Sequence, residues 1–267
     1  MKARLRRRLC EPTISSLCRR KPILRKTIRA KYAMLIIVTA AILLLQESMD
    51  RIGWEAARIF DYSAIDSDGI FMTVSVHHAV IAGFSLLVML LLYKTKRFTF
   101  GLKPKIERTA VKYTVAYCIF IFVYYILWYV IIGFLLNGVN GVDYALTGRN
   151  VIGTLGFQLL LSGPAEELLF RALPVACLRA VCTEGKKTDA LLILFLTSLL
   201  FTAAHINWHV AASSQWYSLL YVFFNGIAYG FVYLKTKRII YPMLMHSISN
   251  VISVSGCYLY MMLSSAA

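Results

Sequence analysis

The chain has 267 residues, of which 59% are hydrophobic and only 16% are charged. A soluble domain is normally about 45–50% apolar and about 25% charged, so this composition excludes an ordinary soluble protein and indicates a membrane protein. The net charge of +16 raises nucleic-acid binding as an alternative, but the distribution of the basic residues does not favour it.

Seven apolar segments follow one another along the chain, and about 20 helical residues suffice to cross the hydrocarbon core of a bilayer. The sequence therefore predicts an all-α, polytopic transmembrane bundle of about seven spans. The first segment is short, but residues 46–50 contain no small-x-small cleavage site, so we expect an uncleaved anchor and not a signal peptide. The predicted spans are 32–46, 78–93, 113–136, 151–178, 189–206, 216–234 and 239–263.

The basic residues predict the orientation of the spans. With the N-terminus in the cytoplasm, 26 of the 29 Lys and Arg residues lie on the cytoplasmic side. Only Arg51, Arg58 and Arg149 lie on the opposite side. This asymmetry follows the positive-inside rule, and basic flanks of spans attract anionic lipid headgroups. We therefore expect the lipid bilayer, and not nucleic acid, as the partner of these charges.

The chain divides into three parts by composition. Residues 1–31 form a basic cytoplasmic tail that holds 12 of the Lys and Arg residues, and residues 32–136 form three spans with few polar groups. Residues 151–263 form a four-span core with the candidate site. We expect external loops at 47–76 and 137–150, neither of which indicates a function.

Ionisable and amide side chains inside the predicted spans cluster in this core. A charge at the bilayer centre costs at least about 2.5–3.5 kcal/mol, so such residues are functional candidates by default. The alternative is a polar network that only locks the helices together, but interhelical hydrogen bonds average about 0.6 kcal/mol in one measured case. The candidates are Glu166, Glu167 and Arg171 in the fourth span, His205 at the end of the fifth, and His246 and Asn250 in the seventh.

The spacing of these residues predicts how they pair. Residues four apart share a helix face, so Glu167 and Arg171 can form an ion pair, and His246 and Asn250 project together. Glu166 lies about 100° round the helix from Glu167 and can face a cavity.

The fifth and seventh spans present a difficulty of depth. Phe201 lies one turn before His205, where it can pack against the imidazole. On straight helices His205 lies near the outer end of its span and His246 near the cytoplasmic end of its own, although a common site needs them close. Helix tilt, a break at 163–164 or different span ends would each reconcile the two positions.

Other sequence features have structural interpretations. His77 and His78 at the start of the second span predict anchoring at the membrane interface. Gly226 and Gly230 form a GxxxG motif, which predicts close contact between spans of the same bundle.

The three late motifs resemble those of the CPBP family (CAAX proteases and bacteriocin-processing proteins), which includes the type II CAAX prenyl endopeptidases and bacterial Abi proteins. The family pattern is EExxxR, then FxxxH, then HxxxN. Here it reads EELLFR at 166–171, FTAAH at 201–205 and HSISN at 246–250. The resemblance covers about residues 151–263, and Ala172 stands where the family often has glycine.

The resemblance implies an intramembrane glutamic endopeptidase. Glu166 is then the general base that activates a water, and His205 holds or shares its proton. His246 and Asn250 are implied to stabilise the oxyanion of the tetrahedral intermediate. The implied supporting residues are Glu167, Arg171 and Phe201.

The expected substrates are peptides or proteins in the membrane, of prenylated CAAX type, bacteriocin-leader type or signal-peptide-like type. We expect the plasma membrane of a bacterium as the location, and no cofactor. A divalent metal at the Glu and His cluster is the minority alternative, since HExxH is absent. The alternative function is a non-catalytic membrane scaffold or regulator with the same fold.

Overall fold

The structure is a computed structural model that describes residues 14–95, 98–103, 105–136, 138–183, 185–208 and 211–265. Side chains are described from residue 29 onward, except for residues 212–214. Most of the predicted basic tail therefore lies outside the part of the chain whose side chains are described. The prediction that this tail is cytoplasmic falls on the same residues.

The described residues form helices and connecting loops, with no strand among them. Three α-helices and two π-helical segments run on as one central rod (residues 148–179), so the described residues form seven helical rods. This confirms the predicted all-α bundle. The helices are α1 Ile14–Ala57, α2 Met72–Lys94, α3 Arg108–Trp128 continuing into π1 Tyr129–Leu135, α4 Gly148–Phe157, π2 Gln158–Ser162, α5 Gly163–Glu167, π3 Leu168–Ala172, α6 Leu173–Arg179, α7 Lys187–Ala203, α8 Ala212–Thr236 and α9 Ile240–Ser264.

Several rods have the length and apolar character that a membrane span requires. Within the part of the chain that the structure describes, four helices meet both conditions. The α7 helix has only 17 residues, or about 26 Å at a rise of 1.5 Å per residue. The four helices are Arg29–Ala57, Met72–Lys94, Arg108–Leu135 and Gln215–Thr236.

The first helix is longer than predicted. The sequence predicts a span at 32–46 followed by an external loop from residue 47, but α1 continues to Ala57. Polar residues stay helical there because each has a partner: Gln46 donates to the Leu169 carbonyl at 3.1 Å, and Glu47 pairs with Arg51 one turn later at 2.9 Å. The loop between α1 and α2 is correspondingly shorter than the predicted 47–76.

The central rod lies between the other helices of the bundle. Its α5 segment packs against α2 on one side and α9 on the other, while α6 contacts α1 and α7. Apolar side chains of the rod, among them Leu168, Leu173 and Leu178, form the largest hydrophobic cluster with residues from α1 and α7. The middle of the rod is thus enclosed by neighbouring helices.

Two close helix contacts depend on glycine. A Cβ added at Gly163 would lie 2.4 Å from the Ser247 side-chain oxygen and 2.8 Å from the Met243 carbonyl oxygen, so α5 and α9 approach more closely than a larger residue allows. Gly226 and Gly230 of the GxxxG motif face α7, where an added Cβ would lie 3.2 Å from Ser198 and 2.6 Å from Leu194. The motif therefore packs α8 against α7 within this bundle.

Candidate active site

The candidate site is built around Glu166 in α5. This helix has only five residues and lies between two π-helical segments, whose wider turns change the direction of the side chains that follow. Glu166 borders a cavity of about 310 Å³ between the central rod, α2 and α9. The lining residues are Val74, His78, Phe157, Gln158, Ser162, Glu166, Asn250, Ser253 and Val254.

Three histidines from three helical rods surround the Glu166 carboxylate. His78 Nε2 of α2 lies 3.3 Å from Oε1, His205 Nε2 lies 3.9 Å from Oε2, and His246 Nε2 of α9 lies 3.8 Å from Oε2. The structure thus brings together Glu166 and the two histidines that the sequence places near opposite ends of their spans. It also adds a histidine that the sequence analysis did not assign to the site.

Backbone carbonyls one helical turn earlier in the chain orient two of the three imidazoles. The Nδ1 atom of His78 lies 2.8 Å from the Val74 carbonyl, and that of His205 lies 2.8 Å from the Phe201 carbonyl. A carbonyl can only accept, so each Nδ1 carries a proton, and Nε2 is the ring nitrogen that faces Glu166.

The third imidazole is oriented by a carboxylate. His246 Nδ1 donates to Glu167 Oε1 at 3.0 Å, and its ring stacks on Tyr229 at 5.0 Å between centroids. The adjacent glutamates therefore have different partners. Glu166 faces the Nε2 atoms of the imidazoles, whereas Glu167 accepts a hydrogen bond from Nδ1 of His246.

Arg171 balances the buried charge of Glu167. Both side chains are fully buried, with Arg171 Nη1 3.4 Å from Glu167 Oε1. The guanidinium carbon also lies 3.9 Å from the ring centroid of Phe201, in cation–π geometry. Phe201 packs edge-on against His205 at 4.6 Å and His246 at 5.7 Å. This ring therefore fixes the spacing of the two histidines.

Asn250 reaches Glu166 through Ser162. The Asn250 amide donates to Ser162 Oγ at 2.9 Å, and the Ser162 hydroxyl donates to Glu166 Oε1 at 3.3 Å. One amide hydrogen of Asn250 is used in this chain, so its second hydrogen is available toward the cavity.

The α7 helix ends before His205, which explains how the two depths are reconciled. Residues 204–205 leave the helix in a turn at Ala204, and Gly163 allows α9 to approach α5 closely. The end of α7 thus places His205 at the same carboxylate as His246. The sequence analysis left this resolution open.

His77 and His78 are not interfacial anchors, contrary to the sequence interpretation. His77 is 4% exposed and its Nε2 lies 3.0 Å from Asp50 Oδ1. Both side chains have acidic partners on other helices, and these partners offset the cost of burying them. The general rule that ionisable groups inside spans are functional candidates would have found His78, but no sequence pattern indicates which helix this side chain faces.

The side chains around Glu166 do not form a recognisable metal cluster. Among the residues that the structure describes, no group of three or more His, Cys, Asp or Glu side chains has the arrangement that holds a metal ion. The imidazole nitrogens of His78 and His205 lie 3.3 and 3.9 Å from the Glu166 carboxylate oxygens.

Comparison with known protein families identifies a family for the part of the chain that contains Glu166, His205 and His246. Residues 148–252 match the family model described as type II CAAX prenyl endopeptidase Rce1-like. These residues form an Rce1-like domain. The match confirms the predicted CPBP family, and all seven site residues predicted from the sequence lie inside the Rce1-like domain. No curated protein and no solved structure matches the chain.

The Rce1-like domain covers 105 of the 267 residues, so α1, α2 and α3 lie outside the match. The family is a protease family with CAAX-type intramembrane activity, acting on peptide or protein substrates in the membrane. Together with the apolar helices, this makes the chain an integral membrane protein. His78 therefore comes to the Rce1-like domain from a helix that the family model does not include.

Proposed function

We propose that this protein is a glutamic intramembrane endopeptidase in which Glu166 activates a water for attack on a peptide carbonyl. The observation that carries the proposal is the position of Glu166 Oε2. This atom is buried, has no hydrogen-bond partner among the described residues, and lies within 4 Å of the Nε2 atoms of His205 and His246. A water between these groups would be held by a base and by two imidazoles.

In this mechanism Glu166 takes the proton of the attacking water. His205 Nε2 accepts or shares that proton, because its Nδ1 already donates to the Phe201 carbonyl. Asn250 stabilises the oxyanion through its second amide hydrogen. His246 stabilises the oxyanion from Nε2 as an imidazolium, because its Nδ1 already donates to Glu167 Oε1.

The substrate is a peptide or protein segment that enters the cavity from the membrane. Prenylated CAAX-type, bacteriocin-leader and signal-peptide-like segments remain the candidate classes. Gln158 and Ser253 in the lining of the cavity supply side-chain amide and hydroxyl groups that can bond the substrate backbone.

The deciding experiment compares two glutamate variants in a peptide-cleavage assay with purified protein. Glu166→Gln removes the base and should lower kcat by at least about 100-fold without loss of folding. Glu55→Gln is the matched control, because Glu55 is exposed and pairs only with Arg58 on α1. Cleavage by Glu166→Gln at the parent rate would exclude Glu166 as the base. Repeating the assay with a chelator tests the metal alternative, since a glutamic peptidase keeps its rate.

The rival function is a non-catalytic scaffold that keeps the family fold. A scaffold depends on the fold and not on the base, so it would tolerate Glu166→Gln and His205→Ala in a cellular complementation assay. An endopeptidase would lose function in both variants at normal expression levels.

A further inference from the structure

A continuous row of polar side chains joins Glu166 to the surface of α1. Asp50 Oδ1 lies 3.0 Å from His77 Nε2, His77 Nδ1 lies 3.2 Å from His78 Nδ1, and His78 Nε2 lies 3.3 Å from Glu166 Oε1. Asp50 has 49% of its side chain exposed, whereas His77 has 5% and Glu166 16%. The row therefore leads from a buried carboxylate to an accessible one.

The donors and acceptors of this row are mutually consistent. The Val74 carbonyl fixes a proton on His78 Nδ1, so the Nδ1 atom of His77, 3.2 Å away, is the acceptor. The proton of His77 then lies on Nε2, where the Asp50 carboxylate accepts it. If both imidazoles are neutral, the two links between Asp50 and His78 each have one donor and one acceptor.

With His78 neutral, the last link becomes a hydrogen bond when Glu166 gains a proton. Before that, the lone pair of His78 Nε2 faces an oxygen of the Glu166 carboxylate, which is also an acceptor. Once Glu166 is protonated, its O–H can donate to His78. The contact therefore favours the state that forms as water attacks, which is the kind of interaction that accelerates a reaction.

The rings of the row are held in place by their neighbours. The His77 ring stacks on Trp54 at 4.1 Å and 24°, and a Cβ added at Gly53 would lie 2.7 Å from the His77 ring. His78 packs edge-on against Phe157 at 4.8 Å. A pair of buried histidines fixed this firmly and bonded to two carboxylates is costly as packing alone.

We propose that Asp50, His77 and His78 form a proton relay for Glu166. This proposal rests on the proposed endopeptidase function. As the water O–H bond breaks and the C–O bond forms, Glu166 takes the proton at Oε2, where His205 shares it. The carboxyl group then turns, and Glu166 passes this proton to His78 Nε2. The His78 Nδ1 proton moves to His77 Nδ1, and the His77 Nε2 proton moves to Asp50.

The relay reverses when the peptide C–N bond breaks. Asp50 returns a proton to His77, His77 returns one to His78, and Glu166 delivers one to the leaving nitrogen. No net proton is gained or lost in a turnover, and both imidazoles return to their starting tautomers.

Asp50, His77 and His78 act through Glu166 and do not touch the substrate's reacting atoms, so they are positioning residues. The titratable and charged groups that face the relay or its end are Asp50, His77, His78, Glu166, Glu167, Arg171, His205 and His246.

Kinetics of two relay variants and one control test the proposal. Asp50→Asn keeps an acceptor for His77 but cannot hold the proton, and His77→Phe keeps the ring against Trp54 without its nitrogens. Both should lose at least about tenfold in kcat with unchanged KM and thermal stability. Glu47→Gln is the matched control, because Glu47 is an exposed acid on the same helix that pairs with Arg51.

Formate separates a proton-transfer role from a structural one. Because position 50 is half exposed, added formate should restore kcat in Asp50→Asn but not in His77→Phe, where the row is interrupted. Parent rates in both relay variants would overturn the relay while leaving the peptidase intact. An equal loss in Glu47→Gln would overturn it as well.

Nitrogen-15 NMR of histidine-labelled parent protein gives a readout that does not depend on cleavage. The relay requires Nδ1–H on His78 and Nε2–H on His77 in the resting protein, and a changed titration of His78 in Asp50→Asn. These signals in a protein that cleaves no peptide would count against the proposed function alone. The opposite tautomers, or a His78 titration unchanged in Asp50→Asn, would refute the relay.

Discussion

At the scale of single residues, the adjacent Glu166 and Glu167 carry the same carboxyl group in different surroundings. Glu166 borders the cavity and faces three imidazoles, whereas Glu167 is fully buried against Arg171 and His246. The first is placed to exchange a proton, and the second holds a positive charge and an imidazole in position. Substitution of Glu166 should therefore lower the cleavage rate, whereas substitution of Glu167 should lower the stability of the protein.

Glu167→Gln should destabilise the protein instead of selectively removing its activity. The substitution leaves the fully buried Arg171 without its charge partner, which typically costs about 3–5 kcal/mol. Thermal unfolding in detergent should show a lower midpoint than for the parent and for Glu166→Gln. Adding Arg171→Met should recover part of the loss, because an apolar pair needs no charge balance. A Glu167→Gln protein as stable as the parent would contradict this assignment.

At the scale of helices, the site depends on how closely α5 and α9 approach. Ser162 ends π2 and Gly163 begins α5, so the residue that bonds Asn250 is followed directly by the residue that lets α9 come near. A small outward movement of α9 would carry His246 and Asn250 away from Glu166 together.

Gly163→Ala should therefore impair the site. Its Cβ would lie 2.4 Å from Ser247 Oγ and 2.8 Å from the Met243 carbonyl, and such overpacking typically costs about 1–3 kcal/mol. We expect at least a tenfold loss of cleavage, an order-of-magnitude figure for displaced catalytic groups. Gly156→Ala in α4 is the control, since nothing lies within 4 Å of its added Cβ. Equal activities of the two variants would show that the close approach is not needed.

The helix that carries His77 and His78 is held at its start by Asp66 in the preceding loop. Burial opposes ionisation of this carboxyl, but backbone N–H donors, among them those of residues 70–72, outweigh that effect and hold the pKa below its ordinary value of 3.8. Phe71, the residue before α2, has no side chain that can cap it. The Asp66 carboxylate takes that role and also meets the positive end of the helix dipole.

Asp66→Asn should lower stability by about 1 kcal/mol at neutral pH. Because the folded-state pKa of Asp66 is depressed, its contribution is complete above the unfolded value of 3.8 and is lost as the pH falls through the lower folded value. Unfolding midpoints of parent and variant should therefore converge on acidification below pH 3.8. A difference that stays constant over that range would exclude the carboxylate charge as its cause.

At the scale of the whole molecule, the helices outside the Rce1-like domain contribute to the site. The α1 and α2 helices pack together, and α2 also packs against α5 and π3. His78 of α2 lies beside Glu166 and lines the same cavity, so this pair of helices forms part of the wall of the candidate site.

The orientation of this unit remains a prediction from its basic residues, of which 26 of 29 lie on one side. A reporter enzyme that is active only outside the cytoplasm should be active when fused after Ala267 and inactive when fused after Leu102. The positive-inside rule is the physical reason, since Lys and Arg are retained on the cytoplasmic side. The reverse pattern of activities would show that the N-terminus lies outside.

The membrane class, the helical bundle and the resemblance of the late spans to a protease family could all be predicted from the sequence. These follow from local properties: apolar length, basic flanks, and the spacing of EExxxR, FxxxH and HxxxN. The i to i+4 spacing also predicted that Glu167 and Arg171 would lie side by side, as they do in the structure.

Only the tertiary structure decided which side chains meet at Glu166. The directions of the α5 side chains depend on the π2 and π3 segments on either side of that helix. The position of His205 depends on where α7 ends. A regular period of 3.6 residues describes neither feature. His78 lies 88 residues before Glu166, in a helix whose face toward the core is set by packing against α1 and the central rod. Contacts of that kind arise from the fit between distant surfaces, so no local pattern in the sequence records them.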